Sequence, residues 1–276
     1  MRRLGLKLWS INTDNYYKEA KKLYNNGIYD YIELYIVPNT INTLDKWTKL
    51  EIPYIIHAPH SAHGFNLALK EKQKSNFEIY KQVKQFADEL NAEYIIFHGG
   101  IEGNINETAN QLASFNEARA LIENKPLMGL PGNLGSLPCR GYNIEEIKTV
   151  IDKAKCGFCF DFGHCICSAN AQNKEPYAYC EDFIKELAPN MYHLTDLKDI
   201  TSIYDSHLHL GNGELDLNKI IAMIQDNKNI TLETVKTSKE NIDDFIEDIK
   251  RFRVENAKNY YKGDTTLKDK FNNMNK

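Results

Sequence analysis

Five histidines and four carboxylates stand where strand-like runs end or just after them in this 276-residue chain. His57, His98, Glu123, Asp161 and Glu233 each close such a run, and His193 lies within one. His164, Asp205 and His207 follow in loops. Imidazole and carboxylate are the ligand set of zinc, manganese and iron. Gathered in one partly dry pocket, these groups repel one another or stay unpaired unless cations join them. Nine ligands exceed what one ion can use, so one to three divalent ions per chain are expected, with a carboxylate bridging where there is more than one. Each residue alone has an ordinary reading: a strand-end His is commonly hydrogen-bonded to its surroundings, and a lone Asp or Glu can cap the next helix. Those ordinary readings would have to hold independently at nine positions.

Weaker candidates surround this set. His60 and His63 follow His57. In Asp205-Ser206-His207-Leu208-His209 one imidazole should face inward, and His207 is the choice, leaving His209 behind it or at the surface. Glu33 is read as ending the second run, where it could serve as an acid/base, orient a ligand or pair with a neighbouring Lys. Lys125, Arg140 and Lys198 are the cations nearest the expected site, and Arg140 or Lys125 could grip a substrate phosphate.

Such residues meet only if the chain folds to bring strand ends together. Apolar, strand-prone runs fall at 4–9, 31–36, 54–57, 93–98, 118–123, 157–161, 191–194 and 229–233, several nearly continuous in apolar residues, as parallel strands buried on both faces should be. Segments 14–26, 69–90, 143–153, 215–226 and 238–253 carry helical periodicity, with Asp14, Ser75, Asn143 and Ser238 as start signals. Eight strand–helix units in about 250 residues are the arithmetic of a single (β/α)8 TIM barrel, whose strand ends share one mouth. The rival is a doubly wound open sheet, which usually carries a Gly-rich turn after its first strand. Here that turn is Trp9-Ser10-Ile11-Asn12-Thr13. The domain is placed at residues 1–257 and a polar tail at 258–276.

Composition narrows the classes further. Apolar residues make up 42%, charged residues 26%, and the net charge is -4, which does not advertise a polyanion partner. No run approaches the ~18 apolar residues of a membrane span, and no leader pattern opens the chain. Cys156-Gly-Phe-Cys159 has the spacing of half a zinc site, but it lies in a strand, where positions three apart face opposite sides. The six cysteines read as buried reduced thiols, and a cytoplasmic address is expected.

In order and type, these segments resemble the xylose isomerase-like TIM barrel superfamily, which includes endonuclease IV and many sugar isomerases and epimerases. The carriers, over about residues 4–250, are His57-Ala58-Pro59 with Asn66-Leu67-Ala68, His98-Gly99-Gly100, Glu123-Asn124, Asp161-Phe162-Gly163-His164, His193-Leu194-Thr195-Asp196, Asp205-Ser206-His207 with Leu210-Gly211-Asn212-Gly213, and Leu232-Glu233-Thr234. The endonuclease IV branch implies three zinc ions. His57, His98 and Glu123 would hold the first, and Glu123, Asp161, His193 and Glu233 the second. His164, Asp205 and His207 would hold the third, for hydrolysis of abasic DNA. The isomerase and epimerase branch implies one manganese or similar ion on Glu123, Asp161, His193 and Glu233. In that branch Glu123 and Glu233 are the catalytic acid–base pair, acting on a sugar or sugar phosphate through an enediolate.

Ligands and loops point in different directions. The full set of nine favours the hydrolase branch. The loops depart from it: the stretch Val37-Pro38-Asn39-Thr40-Ile41-Asn42 carries no Arg, Phe162-Gly163 stands where endonuclease IV has Thr-Cys, and Thr195-Asp196-Leu197 where it has Asn-Asp-Ser. DNA recognition needs phosphate contacts and wedges. Sugar isomerisation or epimerisation is therefore the first expectation, and hydrolysis of an abasic phosphodiester the alternative.

Overall fold

Eight parallel strands close on themselves in chain order, the first paired with the eighth. The computed structural model describes residues 2–12, 14–132, 135–238 and 240–261. The strands are β1 (Arg3–Trp9), β2 (Tyr31–Tyr35), β3 (Tyr54–His57), β4 (Ile95–His98), β5 (Ala120–Glu123), β6 (Gly157–Asp161), β7 (Met191–Leu194) and β8 (Asn229–Leu232). The helices are α1 (Asp14–Asn25), α2 (Leu44–Thr48), α3 (Gln73–Glu89), α4 (Ile105–Phe115), α5 (Ile144–Ala154), α6 (Phe162–Ala171), α7 (Pro176–Leu187), α8 (Leu217–Met223) and α9 (Asp243–Tyr261). The closed ring excludes the open-sheet rival: this is a TIM barrel.

The pleat of each strand sorts its residues. Outward side chains such as Leu6, Leu34, Ile56, Phe97, Ile122, Phe160 and Leu232 join the helices in one large buried cluster. Inward side chains come in layers, because alternate residues face the barrel axis. Tyr31, Ile55, Ile96, Leu121, Cys159 and Met191 form a separate buried plug. Two residues further along the same six strands stand Glu33, His57, His98, Glu123, Asp161 and His193. One period of the pleat separates an apolar floor from a polar layer.

On β1 the pair is Gly5 and Lys7. A Cβ on Gly5 would lie 2.4 Å from the Tyr31 ring. Tyr31 is fully buried, and its hydroxyl is 2.9 Å from Thr231 Oγ1, so it has nowhere to go.

Several expectations need correction. Glu33 lies in the middle of β2, which runs on to Tyr35. Ser75 lies inside α3, where its hydroxyl donates to the Lys72 carbonyl, because residues 70–72 form a tighter turn first. Ser238 accepts from Glu240 N and Asn241 N in the turn ahead of α9, not at its first turn. Asn143 does cap α5, accepting from Glu146 N at 2.8 Å. Asp14 opens α1, but its side chain lies outside the described residues. Helices α2, α4, α6 and α7 lie outside the expected helical segments. Residues 162–169 of α6 are all buried and show no polar face, and α4 buries Thr108 and Gln111 among its apolar residues. Helix α9 continues through the expected boundary at 257/258 to Tyr261, and residues 262–276 lie outside the described set. All six cysteines are buried and unpaired, with Cys156 in the outer cluster and Cys159 in the inner plug. No helix among the described residues is long and apolar enough to cross a membrane.

The Gly5–Tyr31 contact gives a direct test. Gly5→Val should lower unfolding free energy by about 1–3 kcal/mol in denaturant titration, as overpacking does. Unchanged stability would mean the floor has slack that this packing denies.

Candidate metal centre

Glu123 is the point on which the polar layer converges. Its Oε2 lies 3.1 Å from His57 Nε2 and 3.0 Å from His98 Nε2. Its Oε1 lies 3.0 Å from His164 Nδ1. His193 Nδ1 stands 3.7 Å from Glu123, 3.9 Å from Asp161 Oδ2 and 3.2 Å from Glu233 Oε1. Asp205 Oδ2 sits between His164 Nε2 at 3.3 Å and His207 Nε2 at 3.1 Å. Three sets capable of holding an ion emerge from the expected residues: His57–His98–Glu123, Glu123–Asp161–His193 and His164–Asp205–His207. Glu33–His193–Glu233 makes a fourth, and within each set the donor atoms lie within 4.8 Å of one another. All nine expected residues are therefore brought together.

The outer nitrogens of the imidazoles fix which lone pair faces in. His57 Nδ1 donates to the Ala58 carbonyl at 2.7 Å, His164 Nδ1 to Asn124 O at 2.9 Å and His207 Nδ1 to Glu233 O at 3.1 Å. A carbonyl only accepts, so each Nδ1 carries the proton and each Nε2 offers its lone pair, the usual arrangement behind a metal-bound His. His193 does the reverse: Nε2 donates to Glu33 Oε2 at 2.9 Å and Nδ1 faces the cluster. Glu33 thus orients a ligand from mid-strand. Thr231 and Lys7 hold it in turn, each at 2.5 Å.

The donor atoms fit a cation. Buried Glu123 Oε1, Asp161 Oδ2, His193 Nδ1 and Asp205 Oδ2 have no hydrogen-bond partner. A buried orphan of this kind costs about 1–3 kcal/mol, more if charged. Four in one place, each belonging to a ligand set, form an arrangement that positive charge completes.

The electrostatics agree. Burial opposes ionisation of Glu123, yet His98, Lys125 and His193 hold it well below the usual carboxylate range. Burial likewise opposes ionisation of Glu233, but His193 and Lys7 outweigh it. Burial and then Lys125 keep His98 well below the ordinary imidazole value, hence neutral. At His193 burial is outweighed by Cys159 and the carboxylates Glu233, Glu33 and Glu123, which hold the ring above its usual range. An arriving cation there displaces a proton.

Neighbouring elements hold the ligands in place. Asn124 bonds both backbone groups of Asp161, tying the end of β5 to that of β6. Asp161 Oδ1 caps α6 by accepting from His164 N at 2.7 Å, while Oδ2 is left for the cluster. The capping reading therefore holds for one oxygen, and the other stands without a hydrogen-bond partner in the candidate set. Asp248 on α9 accepts from Leu210 N, His209 Nδ1 and Thr234 Oγ1, pinning the loop after β7 to the end of β8. His209 is spent in that support, and His207 faces the cluster at φ 46°, a left-handed conformation uncommon for His.

The weaker candidates part company. Lys125 Nζ donates to His164 Nε2 at 3.1 Å and lies 3.7 Å from Glu123 Oε1. Arg140 is turned away: its Nε donates to the Glu102 and Gly103 carbonyls and its guanidinium faces Glu146, so it is not on the wall of the site. His60 accepts from Ala62 N and His63 meets the Tyr35 hydroxyl at 2.7 Å. Burial and the Lys125 charge push His60 down to about 3. The sequence reading passed over Lys7, which bridges Glu33 and Glu233. Its signal is a single cation inside the otherwise apolar run 4–9. Above the cluster opens a cavity of about 1130 Å³, walled by residues including Trp9, Tyr35, Lys125, Met128 and Lys236.

Comparisons with known proteins agree with this architecture. A family model described as the xylose isomerase-like TIM barrel matches residues 27–254. The chain is 29% identical over 169 residues to a probable endonuclease 4 from Thermoplasma volcanium, a match spanning 56% of this chain and 58% of the relative's own length. A D-tagatose 3-epimerase-like protein superposes with a TM-score of 0.72 at 17% identity, covering 94% of this chain and 99% of its own. Endonuclease IV from Thermus thermophilus superposes with a TM-score of 0.67 at 17% identity, covering 92% and 98%. With its closed eight-stranded barrel and most of its length matched, this chain belongs to the xylose isomerase-like TIM barrel family.

Proposed function

We propose that this chain is a divalent-metal-dependent hydrolase of phosphoric esters. This reverses the order that the loops alone suggested. The observation that carries it is the pair of outer ligand sets, His57–His98–Glu123 and His164–Asp205–His207, flanking the central one. Proton transfer on a sugar needs one ion on Glu123, Asp161, His193 and Glu233, and leaves both outer sets without a task.

In this reading His57, His98 and Glu123 would hold one zinc or manganese ion. Glu123, Asp161, His193 and Glu233 would hold a second, and His164, Asp205 and His207 a third. When bound, the ions supply Lewis-acid charge to a phosphate and lower the pKa of water. The chain does the rest. Glu123 is shared between two sets and fixes their spacing. Lys125, beside His164, adds positive charge to the cavity wall. Lys7 and Glu33 hold Glu233 and His193 in place from below. In the net reaction, water oxygen bonds to phosphorus, one ester P–O bond breaks, and a water proton ends on the departing alcohol oxygen.

Isomerisation or epimerisation of a sugar or sugar phosphate remains a second reading. Glu233 supports it, since this carboxylate lines the cavity beside Lys7, where it could move a proton.

Elemental analysis of protein loaded with zinc or manganese should give close to three ions per chain. His207→Ala should lose one and Glu123→Ala more than one, because Glu123 serves two sets. A single ion per chain, undiminished in His207→Ala, would point to the isomerase. Hydrolysis of bis(4-nitrophenyl) phosphate should fall roughly 100-fold or more in His207→Ala, as when a group stabilising transition-state charge is removed. An unchanged rate would count against a role for the third set.

A further inference from the structure

Resting on the hydrolase reading, we propose that the substrate is a small phosphoric ester carrying a planar, weakly polar group, not duplex DNA, and that Trp9 and its neighbouring loops form the collar that receives this group. The described residues leave seven large apolar side chains well exposed. Four of them, Trp9 at 38%, Ile11 at 53%, Leu130 at 68% and Val235 at 45%, line the one cavity above the ligand cluster. They come from the end of β1 and from the loops after β1, β5 and β8. Single exposed apolar residues are ordinary on a protein surface, but their concentration around one mouth marks a binding site.

The collar is flat. The Trp9 ring lies 4.7 Å from that of Tyr35, tilted by 31°. Tyr35 is 5.4 Å from the His57 ring, so an aromatic wall leads from the rim to the first ligand set. Tyr35 is held rigidly, its hydroxyl bonded to His63 Nδ1 and accepting from His60 N at 3.0 Å. Trp9 meets the His63 ring edge-on at 5.7 Å and keeps its remaining surface open to the cavity. Another stretch of wall comes from the loop after β5, which doubles back on itself. Met128 bridges to Pro138, and Gly129 N donates to Leu137 O at 2.9 Å.

The charges suit one phosphate. Lys7, Lys125 and Lys236 line the cavity, and no Arg among the described residues does. A duplex is gripped by many cationic contacts along its backbone. A cavity of about 1130 Å³ is instead near the upper size of small-molecule sites, about 300–1,000 Å³.

The test uses metal-loaded full-length protein and two phosphate monoesters that differ only in their organic part, methyl phosphate and 2-naphthyl phosphate. Calorimetry should show the naphthyl ester binding roughly tenfold tighter or more, the yield of one well-buried ring. Trp9→Ala and Leu130→Ala should each shrink that ratio severalfold while metal content, measured on the same samples, stays constant. Leu130 is so exposed that its truncation does not threaten folding. Equal affinities for the two esters, or a ratio indifferent to both substitutions, would overturn the collar. So would cleavage of an abasic duplex with a higher kcat/KM than bis(4-nitrophenyl) phosphate. Naphthyl preference without hydrolysis of any phosphate monoester or diester would support the collar and overturn the hydrolase reading instead.

Discussion

One buried carboxylate organises this barrel. Glu123 is fully removed from solvent, yet three imidazoles stand within 3.1 Å of its two oxygens, and His193 and Lys125 lie 3.7 Å away. Burying such a charge is costly unless positive charge meets it. Glu123 Oε1 and three other donor atoms nonetheless keep no hydrogen-bond partner. Protein groups alone leave the balance incomplete. A cluster that is stable without cations would have been tied off by amides and hydroxyls, as Asp196 is by the backbone N–H groups of Leu197, Gly211, Gly213 and Leu215.

The scaffold makes this concentration of charge tolerable by layering it. One pleat below the cluster the barrel is closed by Tyr31, Ile55, Ile96, Leu121, Cys159 and Met191. Gly5 yields its side-chain space to Tyr31 to complete that floor. Within the polar layer, Lys7 and Glu33 form a largely buried ion pair whose further contacts hold Glu233 and His193. The loops then differ in kind from the layer beneath them: apolar at the rim, cationic only through lysines, and set around a cavity of limited size. The fold belongs to the family, whereas the loops distinguish what reaches the cluster.

The sequence made the barrel legible because parallel strands buried on both faces read as apolar runs, and because the candidate ligands sit where those runs stop. His57, His98, Glu123 and Asp161 were visible for that reason. Lys7 and Glu33 were harder. They lie inside strands, and only the closed ring shows that their inward side chains meet His193 and Glu233. Arg140 reads as a phosphate clasp from its place near the expected mouth, but loop conformation is not encoded in periodicity, and carbonyls of Glu102 and Gly103 claim it. Helix α6 escaped because a helix buried on every side has no stripe to detect. The choice between His207 and His209 rested on a guess about facing. The structure shows its cause: Asp248 takes His209, and a left-handed backbone at residue 207 turns the other ring inward.

The most direct test of the central claim is anomalous diffraction across the zinc absorption edge from crystals grown with zinc. The account predicts three peaks inside the barrel mouth, with Glu123 adjacent to two of them and the third enclosed by His164, Asp205 and His207. Zinc confined to the outer surface, with the orphaned oxygens of Glu123, Asp161 and Asp205 bonded to water or to protein groups, would contradict it.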